Sequence, residues 1–240
     1  MKTIIKSFIT FLIKPNNKKD NNIPFVNYVI ILFVVLIVGT TIKICISMLL
    51  SLLNISMIQS ELPLLQNMSL LKYFIFGVVC APIFEELCYR YPLKFSKNSL
   101  LICILSWAII RIFINQSVVN NYPFFAMPDN KILIILFFIL LFVFVVTRLE
   151  FTNIILIKFW HEYSIIIIYI FAIYFAFVHF TLPLRGINWF WLPIFVFPQF
   201  VMALYFSYIR LKVKFIYSIF LHMITNFIAF LGIAVGFILQ

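Results

Sequence analysis

The sequence has very little charge and few glycines or cysteines. Only 10% of its 240 residues are charged, seven residues are acidic, and it contains five glycines and four cysteines. Because soluble domains typically have about 25% charged residues, this composition excludes an ordinary water-soluble protein. The cysteines form no CxxC pair, so neither a disulfide framework nor a thiolate zinc site is predicted.

The rest of the chain is strongly hydrophobic, with 65% apolar residues and a mean hydropathy of +1.16. Its apolar segments run for about 17 to 25 residues without the alternation of a membrane-barrel strand, which predicts transmembrane helices. We expect an all-α fold, a polytopic transmembrane helical bundle with about seven spans. The predicted spans are Val26–Leu53, Leu70–Tyr91, Ser99–Asn115, Lys131–Thr147, Tyr163–Thr181, Trp189–Ile209 and Phe215–Leu239.

The N-terminal segment has the pattern of an amphipathic helix. One helical face carries Ile4, Ile5, Phe8, Ile9 and Leu12, and the other carries Thr3, Lys6, Ser7, Thr10 and Lys14. Such a helix is expected to lie in the cytoplasmic interface of the membrane. We therefore predict an interfacial helix and linker over residues 1–24, with the linker at Asn16–Asn22, followed by a single membrane-embedded domain over residues 25–240.

The basic residues indicate the orientation of the chain in a membrane. Thirteen of the 18 lie in the N-terminal segment or in every second loop: Lys2, Lys6, Lys14, Lys18, Lys19, Arg90, Lys94, Lys97, Arg148, Lys158, Arg210, Lys212 and Lys214. Since cytoplasmic loops carry the excess of lysine and arginine, the N-terminus is predicted to be cytoplasmic and the C-terminus external. The net charge of +11 is thus a topology signal, and no nucleic-acid partner is expected.

Two adjacent carboxylates and an arginine follow the apolar run that ends at Phe84. Placing Glu85, Glu86 or Arg90 inside a membrane costs about 2.5 to 3.5 kcal/mol each, so their presence indicates a function. Glu86 and Arg90 are four residues apart and are expected to pair. Glu85 points about 100° away around the helix and is the expected reactive group. An ion pair that serves only packing is the structural alternative.

Two histidines lie in apolar segments, and each has a partner one helical turn away. Phe175 precedes His179 by four residues, so its ring is placed beside the imidazole. Asn226 follows His222 by four residues, which puts two hydrogen-bonding groups on one helical face. Either histidine also suits a purely structural role, and the weight of the pattern comes from its joint occurrence with Glu85, Glu86 and Arg90.

These motifs resemble those of the CPBP intramembrane proteases, the CAAX-protease and bacteriocin-processing family, over about Leu70 to Gly232. Glu85, Glu86 and Arg90 match its first motif, Phe175 and His179 its second, and His222 and Asn226 its third. Tyr91 replaces the glycine common after the arginine, and an inserted helical hairpin over residues 99–147 is expected to lengthen the interval between the first two motifs.

The resemblance implies an intramembrane endopeptidase of a bacterial plasma membrane that acts on membrane-associated proteins or peptides. It makes Glu85 the base that activates water, with His179 helping to hold that water. His222 and Asn226 are the implied donors to the oxyanion, and Glu86 with Arg90 orients the helix and tunes Glu85. No metal or other cofactor is implied.

Three alternatives remain open from the residues alone. Glu85, His179 and His222 are able to ligate zinc with a water, although the sequence contains no HExxH motif. The same residues would suit a proton or ion path in a transporter. A bacteriocin-immunity or regulatory membrane protein without proteolysis is the third alternative.

Overall fold

The computed structural model describes residues 2–15, 24–52, 69–118, 137–141, 144, 148, 150–179 and 192–238. These residues are helical apart from short turns and contain no strand, which confirms the all-α prediction. The linker predicted at Asn16–Asn22 and most of the span predicted at Lys131–Thr147 lie outside the described residues.

The helices follow the predicted apolar segments closely. Their bounds are α1 Lys2–Ile13, α2 Phe25–Leu52, α3 Leu70–Tyr73, a π-helix Phe74–Cys80, α4 Ala81–Tyr89, a 3₁₀-helix Tyr91–Leu93, α5 Lys97–Val118, α6 Glu150–Glu162, α7 Ser164–Val178, α8 Leu192–Lys212 and α9 Phe215–Ile238. The main difference is at Leu70–Tyr91, where one continuous helix was expected and a π-helix interrupts it.

Two of the described helices are long and apolar enough to cross a membrane on their own, at Phe25–Ile46 and Phe215–Val235. A third span results if Ile154–Glu162 and Ser164–Val178, which are separated by a bend, are counted together. The chain is therefore consistent with a helical membrane protein of at least two spans. The larger bundle of about seven spans stays a prediction.

The chain divides into two compact units. The first joins Met1–Gln66 to Ile165–Leu221, and the second joins Asn67–Ser164 to His222–Gln240. Helix α9 begins in the first unit and continues in the second. The predicted division between residues 24 and 25 and the inserted hairpin at 99–147 are not tested by this partition.

Helix α8 supplies the core of the first unit. Its residues 202–209 are all buried, and α2 packs along it. Gly39 of α2 faces Pro198 of α8, and a Cβ on the glycine would make an ordinary van der Waals contact with the proline Cβ at 3.8 Å. Tyr205 secures the pair by donating its hydroxyl hydrogen to the Tyr28 carbonyl at 2.8 Å.

Helix α1 packs into the first unit through one face. Ile4, Phe8 and Phe11 are buried, and the Phe8 ring meets the Tyr208 ring with their centroids 5.3 Å apart. Tyr169 donates its hydroxyl hydrogen to the Leu12 carbonyl at 2.7 Å. The predicted apolar face is thus divided: Ile4 and Phe8 point into the protein, whereas Ile5 and Ile9 are exposed.

In the second unit, α4 packs against α5, and the start of α5 is well defined. The Ser96 and Ser99 side chains accept hydrogen bonds from each other's backbone N–H groups, at 2.9 and 3.2 Å, which is the reciprocal arrangement of a capping box. Aromatic rings join α9 to the segment before α4, with Phe230 stacked on Tyr73 at 6.0 Å. These contacts fix the two elements that carry the polar residues.

Candidate active site

Five of the six predicted site residues lie in the second unit, on α4 and on the part of α9 that belongs to it. Glu85 and Glu86 lie in α4, Arg90 caps its C-terminus, and His222 and Asn226 lie in α9. Pro82 lies in the first turn of α4 and has no N–H to donate to the π-helix that directly precedes it. The helix ends after Tyr89, and another proline, Pro92, follows in the 3₁₀-turn.

Glu86 and Arg90 form the predicted ion pair. Arg90 Nη1 lies 3.4 Å from Glu86 Oε1, and the side chains are 1% and 0% exposed. A buried carboxylate and guanidinium offset much of each other's desolvation cost only while both are present. The prediction of this pair from the spacing of four residues is confirmed.

The imidazole of His222 contacts both carboxylates. Its Nδ1 lies 3.0 Å from Glu86 Oε1, and its Nε2 lies 3.5 Å from Glu85 Oε2. His222 is only 3% exposed, whereas the Glu85 side chain retains 16% exposure. Glu85 and Glu86 are about 100° apart around α4, and a single histidine on another helix nevertheless contacts both carboxylates.

The contact between His222 and Glu86 fixes where one proton lies. Glu86 already faces Arg90, and its carboxylate oxygen accepts hydrogen bonds, so Nδ1 of His222 is the donor. Nε2 is therefore the ring nitrogen directed at Glu85.

Asn226 contacts a different element from His222, although both lie on one face of α9. Its Nδ2 donates a hydrogen bond to the Gly77 carbonyl oxygen at 2.9 Å. The sequence suggested that His222 and Asn226 would direct hydrogen bonds to one point. In the structure the imidazole serves the carboxylates of α4 and the carboxamide serves the π-helix before it.

His179 lies in the first unit, just after the last residue of α7. Its ring is 4.1 Å from the Phe175 ring between centroids, and its Nδ1 donates to the Phe175 carbonyl at 2.9 Å. The predicted contact between these two side chains is confirmed. Since a carbonyl oxygen only accepts, Nδ1 carries the hydrogen in this contact.

Two features near the carboxylates were not predicted. Gly77 and its π-helix were missed because the apolar run reads as one regular helix, although Pro82 within it was a signal of a changed hydrogen-bond pattern. Cys103 of α5 donates its thiol hydrogen to the Cys88 carbonyl at 3.0 Å. This contact joins α4 to α5 one turn after Glu85.

Among the residues that the structure describes, no three histidine, cysteine, aspartate or glutamate side chains are arranged to hold a metal ion. Comparison with known proteins gives no match to any protein-family model, curated protein or solved structure. The functional assignment therefore rests on the motif residues and their geometry.

Proposed function

We propose that this protein is an intramembrane endopeptidase that hydrolyses peptide bonds of membrane-associated proteins or peptides with a water activated by glutamate. One observation carries the proposal: His222 lies between Glu85 and Glu86, and Glu86 is held in turn by Arg90. Structural ion pairs do not need a second carboxylate on the far side of the histidine. A partly exposed carboxylate that acts as the base, a histidine beside it and a group that orients the histidine do form such a line.

Glu85 is the base in this mechanism. Its carboxylate takes a proton from water as the water oxygen bonds to the scissile carbonyl carbon, and the carbonyl oxygen becomes an oxyanion. The carbon–nitrogen bond then breaks, and the proton held by Glu85 passes to the departing nitrogen. Glu85 suits this role better than Glu86 because its side chain keeps some exposure, whereas Glu86 has none.

Glu86 and Arg90 hold the histidine rather than react. Arg90 pairs with the buried Glu86 carboxylate, and that carboxylate accepts a hydrogen bond from Nδ1 of His222. The orientation of Nε2 towards Glu85 follows from this contact. A third group that orients a catalytic histidine through its other nitrogen is a recurring arrangement in hydrolases.

The remaining roles come from the resemblance. The resemblance implies that His179 holds the attacking water and that His222 and Asn226 supply hydrogen bonds to the oxyanion, with no metal required. The protein is placed in a bacterial plasma membrane as a multi-pass bundle of about seven spans with a cytoplasmic N-terminus. Membership of the CPBP proteases is part of this proposal.

Proton-coupled transport is the second candidate, and one observation favours it. The segment that carries Glu85 is interrupted by a π-helix, and interrupted helices that bring polar groups to the middle of the membrane are typical of transporters. In that function Glu85 and His222 would exchange a proton with a transported solute, and no peptide bond would be cut.

The proposal is tested by comparing membrane proteins from cells that produce the wild-type protein or its Glu85→Gln variant. New protein N-termini are identified by mass spectrometry, and a purified candidate substrate is then incubated with each protein. We expect new termini only with the wild type. Glu162→Gln, the same exchange at an exposed glutamate, is the matched control and should cut normally. Equal cutting by the Glu85→Gln variant would refute the glutamate mechanism.

A further inference from the structure

The π-helix before α4 changes the hydrogen-bond register of the backbone. In an α-helix each N–H donates to the carbonyl four residues earlier, and in a π-helix to the carbonyl five residues earlier. Ala81, the first residue of α4, donates its N–H to the Phe76 carbonyl, five residues before it. The π register therefore extends to the end of this segment.

This register leaves the Gly77 carbonyl without a helical donor. Its α-helical partner would be the N–H of Ala81, which instead donates to Phe76. Its π-helical partner would be residue 82, which is Pro82 and has no N–H. A buried or membrane-embedded carbonyl in this position is destabilising unless a side chain or water donates to it.

Asn226 supplies the missing donor. Its carboxamide nitrogen lies 2.9 Å from the Gly77 oxygen, and only the NH₂ end of a carboxamide is able to donate to a carbonyl. The contact joins α9 to the π-helix one helical turn away from the contact of His222 with the two carboxylates. One face of α9 therefore holds both the π-helix and the residues that follow it.

We infer that Asn226 is a positioning residue rather than the oxyanion donor that the resemblance implies: it stabilises the π register through the Gly77 carbonyl and thereby directs Glu85 towards His222. A π register inserts one residue relative to an α-helix, and one residue corresponds to a rotation of about 100° around the helix axis. The aromatic contacts of Tyr73 and Phe74 with α9 hold the start of this segment in place. If the π register were lost, Glu85 and Glu86 would therefore rotate around the helix axis away from His222. The catalytic consequence rests on the proposed protease function, but the hydrogen bond and its effect on stability do not.

A substitution of Pro82 distinguishes this positioning role of Asn226 from donation of a hydrogen bond to the oxyanion. In a Pro82→Ala variant the backbone N–H of residue 82 is restored, and the Gly77 carbonyl gains a main-chain donor in the π register. A switch to the α register would give it the N–H of Ala81 instead. In both cases the carboxamide of Asn226 is no longer needed by Gly77, whereas a donor to the oxyanion would be needed as before.

The test is a double-mutant cycle of wild type, Asn226→Ala, Pro82→Ala and the double variant in detergent or lipid nanodiscs. Three quantities are measured: the thermal unfolding midpoint, deuterium exchange of the backbone over residues 74–86, and kcat and KM on a peptide substrate. We expect Asn226→Ala alone to lower the midpoint, speed exchange at residues 74–86 and reduce kcat by about 10²-fold, with KM little changed. Asn226→Asp, which keeps the shape but offers no donor when ionised, should behave like Asn226→Ala.

In the Pro82→Ala background, Asn226→Ala should have little further effect on the midpoint or on exchange. In this background, Asn226→Ala should reduce kcat by much less than tenfold. Equal losses of stability in both backgrounds would overturn the inference, as would an equal loss of kcat. The stability and exchange measurements need no substrate. If the effect of Asn226→Ala on stability depends on Pro82 as expected but the protein cuts no peptide, the proposed protease function is rejected and the role of Asn226 at Gly77 is retained.

Discussion

His222 Nδ1 lies 3.0 Å from Glu86 Oε1, and this contact decides which ring nitrogen is left to face Glu85. Substitutions by asparagine and glutamine test the roles of the two ring nitrogens separately. The amide nitrogen of asparagine occupies roughly the position of Nδ1, and the amide nitrogen of glutamine occupies roughly the position of Nε2. His222→Asn should keep the donor to Glu86 and lose the group beside Glu85. We expect it to retain most of its thermal stability while its turnover falls by about 10² to 10³.

The variant for comparison is His222→Leu, which removes both contacts. It should lose turnover and also unfold at a lower temperature, because Glu86 is left buried without its histidine. Turnover and melting curves are measured on the same preparations. A fully active His222→Asn variant would show that Nε2 takes no part in the reaction.

The ion pair of Glu86 and Arg90 gives a prediction about stability. Arg90→Ala leaves a carboxylate buried without its cation, and breaking such a pair typically costs about 3 to 5 kcal/mol. Replacing both members, as in Glu86→Gln with Arg90→Met, should cost less than Arg90→Ala alone, because no uncompensated charge remains. Denaturant titration of the single and double variants checks this order. Lys158→Ala, at an exposed position, is the control and should change stability little.

Helical periodicity accounts for the parts of the structure that the sequence predicted. Long apolar runs set the bounds of α2, α8 and α9 to within a few residues, and a spacing of four placed Arg90 beside Glu86 and Phe175 beside His179. These are local relationships that follow from the geometry of one helix. They need no knowledge of tertiary packing.

The relationships that were missed depend on tertiary contacts. That His222 reaches both Glu85 and Glu86 depends on how α9 packs against α4, which no spacing within one helix specifies. The π-helix was missed because its residues, Phe74–Cys80, have the same apolar composition as an α-helix. It also contacts Asn226, which is almost 150 residues away in the chain and donates to the Gly77 carbonyl.

The packing of α1 gives a prediction that separates its two apolar faces. Phe8 is buried against Tyr205 and Tyr208, whereas Ile9 is 51% exposed. Phe8→Ala should destabilise the protein by about 3 to 5 kcal/mol, the usual range for a large aromatic side chain in a core. Ile9→Ala should have a small effect on unfolding in detergent but should weaken association of α1 with lipid. If both variants unfold like the wild type, α1 does not belong to the core of the first unit.

The excess of basic residues on one side predicts the topology of the chain. A reporter that is active only outside the cytoplasm should be active when fused after Gln240 and inactive when inserted near Lys18. A cytoplasmic reporter at the same two places should give the opposite result, which controls for expression. The same compartment at both ends would mean an even number of spans and would contradict the predicted bundle of about seven.

Removal of metal ions tests the metal-independent mechanism directly. Zinc catalysis would need ligands such as Glu85, His179 and His222 around a bound water, and chelation would then abolish turnover. In the proposed mechanism Glu85 takes the proton from water. Cleavage of an identified substrate should therefore survive extended treatment with EDTA or 1,10-phenanthroline. Elemental analysis of the purified protein should show zinc well below one atom per chain. Loss of turnover on chelation, with recovery on adding back zinc and no change in the melting curve, would replace the glutamate mechanism by a metal-dependent one.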